Sequence, residues 1–187
     1  MARHGYAGTS LRAIAAQAGL TTGAIYAQFP GGKEELFRAI LSTVSGEVHS
    51  FVAAAMIGAH EPVDAIVRQA AALWDFFAAH PNIAALVARE SVSGALDDPS
   101  PFVAENAEAL TALRALFADA IRRRRLADVN VSSVLFYITA TCTTFHGCAP
   151  LRDTVWTADE LEDARTDFLA TLRRRLEPSR ISARHKS

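Results

Sequence analysis

Between Thr21 and Lys33 the chain carries side chains suited to meeting both a polyanion and the edges of stacked bases. Tyr26 and Lys33 bring a hydroxyl and an ammonium that can donate to phosphate oxygens. Gly23, Ala24 and Ala27 are small enough to let a helix backbone approach a base edge, and alanine methyls can meet thymine methyls. This chemistry requires the residues to share one helical face. At about 100° per residue, Ile25 and Phe29 fall one turn apart on the side to be buried. Gly23, Ala24 and Ala27 lie opposite, with Tyr26 and Gln28 at the flanks. Thr21 is positioned to cap the helix Thr22 to Phe29, and Pro30 and Gly31 stop it. A preceding helix is expected from Thr9 to Gly19, capped by Thr9, with Leu11, Ile14, Ala15 and Ala18 as its apolar stripe and Gly19 ending it in the left-handed conformation. Two short helices and a tight turn are the geometry that seats a helix in the DNA major groove.

Gly5-Tyr6, Thr9-Ser10, Ile14-Ala15, Ala18-Gly19, Gly23, Ile25-Tyr26, Phe29 and Lys33-Glu34-Glu35-Leu36 together resemble the DNA-binding domain of TetR-type (TetR/AcrR) transcriptional repressors. The resemblance covers roughly the first forty residues. It implies an all-α homodimer in which a helix-turn-helix head, residues 1–46, is followed by a helical ligand-binding and dimerisation domain, residues 47–176. It places DNA contacts at Thr21, Thr22, Gly23, Tyr26, Gln28 and Lys33. It also implies a palindromic operator in double-stranded DNA and release by a small hydrophobic effector. In the family a further helix precedes the Gly-Tyr element, whereas only Met1 to His4 stand before Gly5 here. The Gly31-Gly32 pair is one residue longer than the commonest spacing. The alternative expectation is therefore a small-molecule-binding helical dimer that does not bind DNA in this form.

Composition supports a helical protein with a large core, since half of the 187 residues are hydrophobic, with alanine and leucine prominent. Net charge is −1, which argues against a general polyanion binder. The charge is nonetheless uneven. Arg3, Arg12, Lys33 and Arg38 against Glu34 and Glu35 give the head +2, leaving −3 on the remainder. Two cysteines, Cys142 and Cys148, form no disulfide-dense pattern, so a reducing cytoplasm is expected. No run approaches the roughly 18 unbroken apolar residues of a membrane span.

Periodicity predicts a linking helix from Lys33 to Phe51 or beyond, striped by Leu36, Ile40, Leu41, Val44 and Val48. Further helices are predicted at Pro62–His80, Ile83–Val92, Phe102–Arg124, Val131–Cys148 and Thr157–Leu176. A loop is expected from Gly94 to Pro101, and a basic mobile tail over residues 177–187. Leu110, Leu113, Leu116, Phe117 and Ile121 should share one side of their helix, and Arg122 to Arg125 read as its solvated end. Val131–Cys148 is apolar on nearly every face, more than one subunit can cover, so it and the last helix are expected to pair with their symmetry mates.

Effector-pocket candidates are Trp74, Phe77, Leu86, Phe117, Tyr137, Thr141 and Phe145, with Arg89 and His146 as polar anchors, each weighed against a plain core role. Cys142 and His146 stand one turn apart, but Cys148 points elsewhere on the helix, so no three ligands converge and no metal is expected. Neither a phosphate loop, an HExxH pair nor a nucleophile elbow is present, and Glu90 with Asp97-Asp98 makes a poor catalytic pair, so no enzyme and no cofactor is expected.

Overall fold

The structure is a computed structural model that describes residues 1, 4–93 and 107–178. The Gly94–Pro101 loop, the start of the helix expected from Phe102 and most of the basic tail lie outside the described residues. Every regular element described is helical: α1 Leu11–Ala18, α2 Thr22–Gln28, α3 Gly32–Met56, α4 Pro62–Ala79, α5 Pro81–Ser93, α6 Ala107–Arg122, α7 Val131–Gly147, α8 Ala149–Val155 and α9 Ala158–Leu176. The predicted boundaries hold to within a few residues, except that α8 was not expected. It starts where Cys148 leaves α7, with Pro150 in its first turn, and it buries no residue.

α4 is the central rod. Val63, Ile66, Ala70, Leu73, Trp74 and Phe77 are buried on one stripe, and Ala72 and Phe76 widen it, so neighbours can pack on more than one side. α9 runs antiparallel to α4, because Arg165 grips Asp75 with two bonds of 2.7 and 2.8 Å while Arg173 reaches Asp64 at 2.6 Å. Phe168, Leu172 and Leu176 fill the seam between them and join the main core. α7 packs closely on α5. A Cβ on Gly147 would stand 2.5 Å from the Ala85 nitrogen, so only glycine permits the approach.

α3 joins head to body, and its burial changes along its length. Phe37, fully buried, and Leu41 make a small core with Leu86 of α5 and the partly buried Met1, Tyr6 and Ile40. One turn later Val44 belongs to the body core. Phe37 was not in the expected stripe; it faces α5 and the Gly-Tyr turn, a direction that only the tertiary arrangement defines. α3 is long and apolar enough to cross a membrane by length and composition, but the same test passes core helices, and this one carries two buried clusters.

Candidate nucleic-acid interface

The head is built from short-range hydrogen bonds. Gly5 N–H donates to Met1 O at 2.7 Å, and the Thr9 hydroxyl donates to Gly5 O at 2.7 Å. Thr9 is thereby buried inside the Gly-Tyr turn and does not cap α1, contrary to expectation. Ser10 is the cap, accepting from Ala13 N–H at 3.1 Å. Gly19 ends α1 with φ 68°, as expected, and Leu20 N–H closes the motif on Ala15 O at 2.9 Å. Of the expected α1 stripe Ala15 is buried and Leu11 and Ile14 are half-buried, while Ala18, the last residue of the helix, is exposed.

Three residues separate α1 from α2. Thr21 caps α2 by accepting from Ala24 N–H at 3.1 Å, as its position predicts. Ile25 is buried, Phe29 is half-buried, and Thr21, Thr22, Gly23, Ala24, Tyr26, Ala27 and Gln28 are all exposed. One apolar anchor thus leaves the rest of the helix facing solvent. Behind it, Gly32 opens α3 with φ 69°, and a Cβ there would stand 3.1 Å from Tyr26 Cε1. Gly31 N–H donates to Glu35 Oε2 at 2.7 Å, which satisfies an orphan donor of the new helix. The four-residue Gly31–Glu35 spacing was the available sequence signal for this cap.

Lys33 behaves differently from its neighbours. Its ammonium donates to Tyr6 O at 2.9 Å and sits 4.2 Å above the Tyr6 ring. The ammonium is half-buried and tied to the Gly-Tyr turn, so it holds the head together with one of its three donors. Tyr6 in turn packs its ring on Phe37 at 4.9 Å.

The effector candidates divide among four places. Trp74, Tyr137, Thr141 and Phe145 line a cleft of about 310 Å³ with Trp156, Phe168 and the acidic Glu160 and Asp167. Phe77 is core, while Phe117 borders a different cavity, at α6. Leu86 and Arg89 face the head: Leu86 closes on Phe37 and Leu41, and the Arg89 stem lies over Gly5, where a Cβ would come within 2.9 Å of Cδ. The sequence gives no long-range signal for that joint, because it depends on where α5 lands.

His146 lies edge-on to Trp74, with ring centroids 4.7 Å apart, and its Nε2 is buried without a partner among the described residues. Burial, aided by the nearby Arg152 charge, pulls its pKa down to about 4 against the opposing pull of Asp75. Cys142 is fully buried, and burial together with Asp75 pushes its thiol up to about 12. No group of three or more potential ligands that could hold a metal ion occurs among the described residues.

Residues 1–40 match the model of the bacterial regulatory proteins of the tetR family. The fold is similar to the ketosteroid transcriptional regulator KstR2 of Mycobacterium tuberculosis, with a TM-score of 0.71 at 16% identity over 95% of this chain and 89% of that one. It is similar to the fatty acid degradation regulator FadR from Bacillus halodurans, with 0.72 at 17% identity over 99% and 91%. It is also similar to the TetR family transcriptional regulator PfmR from Thermus thermophilus, with 0.61 at 22% identity over 89% and 90%. At these identities the likeness concerns the fold. No curated protein matches the chain significantly.

Proposed function

From the premise that this chain is a TetR-type transcriptional regulator, we propose that it is a cytoplasmic, homodimeric repressor released from a palindromic operator by a small hydrophobic effector. The observation that carries this is the exposed face of α2, where six of its seven residues are open to solvent and Ile25 alone anchors it. Thr21, Thr22, Tyr26 and Gln28 are the phosphate and base donors of that face, and Gly23, Ala24 and Ala27 allow close docking. Lys33 contributes by fixing the Gly-Tyr turn and by its charge.

The dimer contact is assigned to α7 and α9. Phe136 is 76% exposed and Tyr137 37%, on a helix whose opposite side buries Val134, Ile138 and Cys142. A two-fold axis along that stripe would cover both copies and hold two α2 helices one or more DNA turns apart. An effector in the body would favour a state in which α3, about 37 Å long at 1.5 Å per residue, has swung and the spacing no longer fits. Coupling of this kind amounts to ~1–3 kcal/mol. The names of the ketosteroid and fatty acid regulators it resembles in fold are consistent with an apolar effector.

The test is a gel-shift titration of the full chain against DNA from its own genomic neighbourhood, repeated across salt concentrations. Nanomolar retention of one palindromic fragment, steeply weakened by salt, is expected. Tyr26→Phe should weaken all sequences alike, whereas Ala27→Ser should change base preference. Retention that ignores both substitutions would remove α2 from the groove.

A further inference from the structure

We propose that the aromatic cleft between α4, α7 and α9 is a site for an alkylated ammonium ion, a cation whose charge is sheathed in methyl or methylene groups and which carries a compact apolar body. Five rings form a continuous wall. Between centroids, Tyr137 lies 5.7 Å from Phe168, Phe168 5.3 Å from Trp74, Trp74 4.6 Å from Phe145 and Phe145 5.5 Å from Trp156. All five line the cleft, whose volume of about 310 Å³ is at the lower end of ligand-sized pockets. Trp74 is buried and makes the floor, while Tyr137 and Trp156, 37% and 38% exposed, stand at the mouth.

The facing wall comes from α9. Glu160, Ala164, Asp167 and Thr171 recur at helical spacing, so the side of α9 that meets the rings offers small side chains and two carboxylates. Among the described residues no cationic side chain lines the cleft. Glu160 Oε2 accepts from the Thr157 N–H at 2.8 Å and from its hydroxyl at 2.9 Å, bonds that hold the carboxyl below its usual range and keep it charged. Asp167 is exposed and has no hydrogen bond or ion pair among the described residues. Two arginines come near from outside. Arg152 is paired with Asp153 at 2.8 Å and stands 5.8 Å from the centroid of the Phe145 ring, and Arg174 donates to the Thr171 hydroxyl at 3.2 Å. Arg174 set against Glu160 and Asp167 still leaves the cleft negative.

These walls select by charge and by hydration. An anion meets two carboxylates, and a neutral molecule displaces their water without compensating them. A primary ammonium must satisfy three N–H donors in a cleft made mostly of rings. An alkylated ammonium has few donors or none. Its alkyl groups pack against the aromatic wall, and its charge is stabilised by the ring quadrupoles together with Glu160 and Asp167. Trp74, Tyr137, Thr141 and Phe145, four of the effector candidates, line this cleft, so the cation is the effector where the repressor reading holds. Its binding does not rest on that reading, and the two can fail separately.

Trp74 and Trp156 are the only tryptophans in the chain, so the intrinsic fluorescence of the full-length protein reports on this cleft. Titrations with benzyltrimethylammonium, 3-phenylpropanol and 3-phenylpropanoate test the site. The cation is expected to change the emission and to bind at least roughly fivefold tighter than the alcohol, with the anion weakest. Asp167→Asn, at an exposed position, and Glu160→Gln, which keeps a capping-box side chain, should together bring the cation down to the level of the alcohol. Glu162→Gln, which removes the same charge from α9 outside the cleft, should change nothing. Trp156→Leu, with Trp74 still reporting, should weaken the cation more than the alcohol. The site is overturned if the cation leaves the emission unchanged, if the three probes bind alike, or if the double carboxylate variant binds the cation as the parent does. The expected pattern in a protein that retains no operator DNA establishes the site and sinks the repressor reading; operator retention without cation binding does the reverse.

Discussion

At Gly32 a single hydrogen in place of a methyl group lets the Tyr26 ring lie against the backbone at the start of α3. Gly32→Ala meets two costs at once, a left-handed φ of 69° and a Cβ 3.1 Å from Tyr26 Cε1. A destabilisation of about 1–2 kcal/mol is expected, read as a lower urea midpoint with an unchanged slope. His146 offers a pH signature. Unfolded, its imidazole takes a proton near 6.5, but in the fold it resists until about 4. Stability is therefore full above pH 6.5 and declines as pH falls from there toward 4. Because the ring is only half-buried, water screens the effect, and the loss at pH 5 should be about 1 kcal/mol. Melting curves at pH 7 and pH 5 check this: the drop should shrink in His146→Gln. The raised Cys142 pKa carries its own expectation, namely that the native protein leaves this thiol unlabelled by a disulfide reagent until it unfolds.

Among the elements, α2 depends most on its surroundings. Seven residues are too few for an isolated helix, so α2 persists through the Thr21 cap, the buried Ile25 and the contact with α1. Thr21→Ala should cost about 1 kcal/mol and weaken operator retention, as amide exchange within α2 and a gel shift would both record. α9 illustrates the opposite case. Thr157 and Glu160 form a complete capping box, Arg173 to Arg175 occupy its last turn, and its stripe meets α4, so local and tertiary preferences agree. Such helices were legible from periodicity alone. α8 was not, because it buries nothing and a seven-residue segment without a stripe has no period to detect.

For the whole molecule, the proposed two-fold contact rests on the exposed Phe136 of α7. Phe136→Glu should place a charge in the two-fold contact and give a monomer by sedimentation velocity, with operator affinity falling at least roughly a hundredfold as the second head is lost. Folding of the subunit should survive, since the side chain it replaces is 76% exposed. The division of labour between sequence and structure follows from range. The helix-turn-helix, its Thr21 and Gly19 caps and the stripes of α4 and α9 depend on neighbours within one or two turns, so they could be read from residue types and spacing. Which faces of those helices meet could not. That Phe37 and Leu86 join head to body, that Arg89 covers Gly5, that Lys33 serves Tyr6 and that Arg125 reaches His60 are all consequences of contacts between residues at least 27 positions apart. Periodicity says that a stripe will be buried. Only the packed chain says against what.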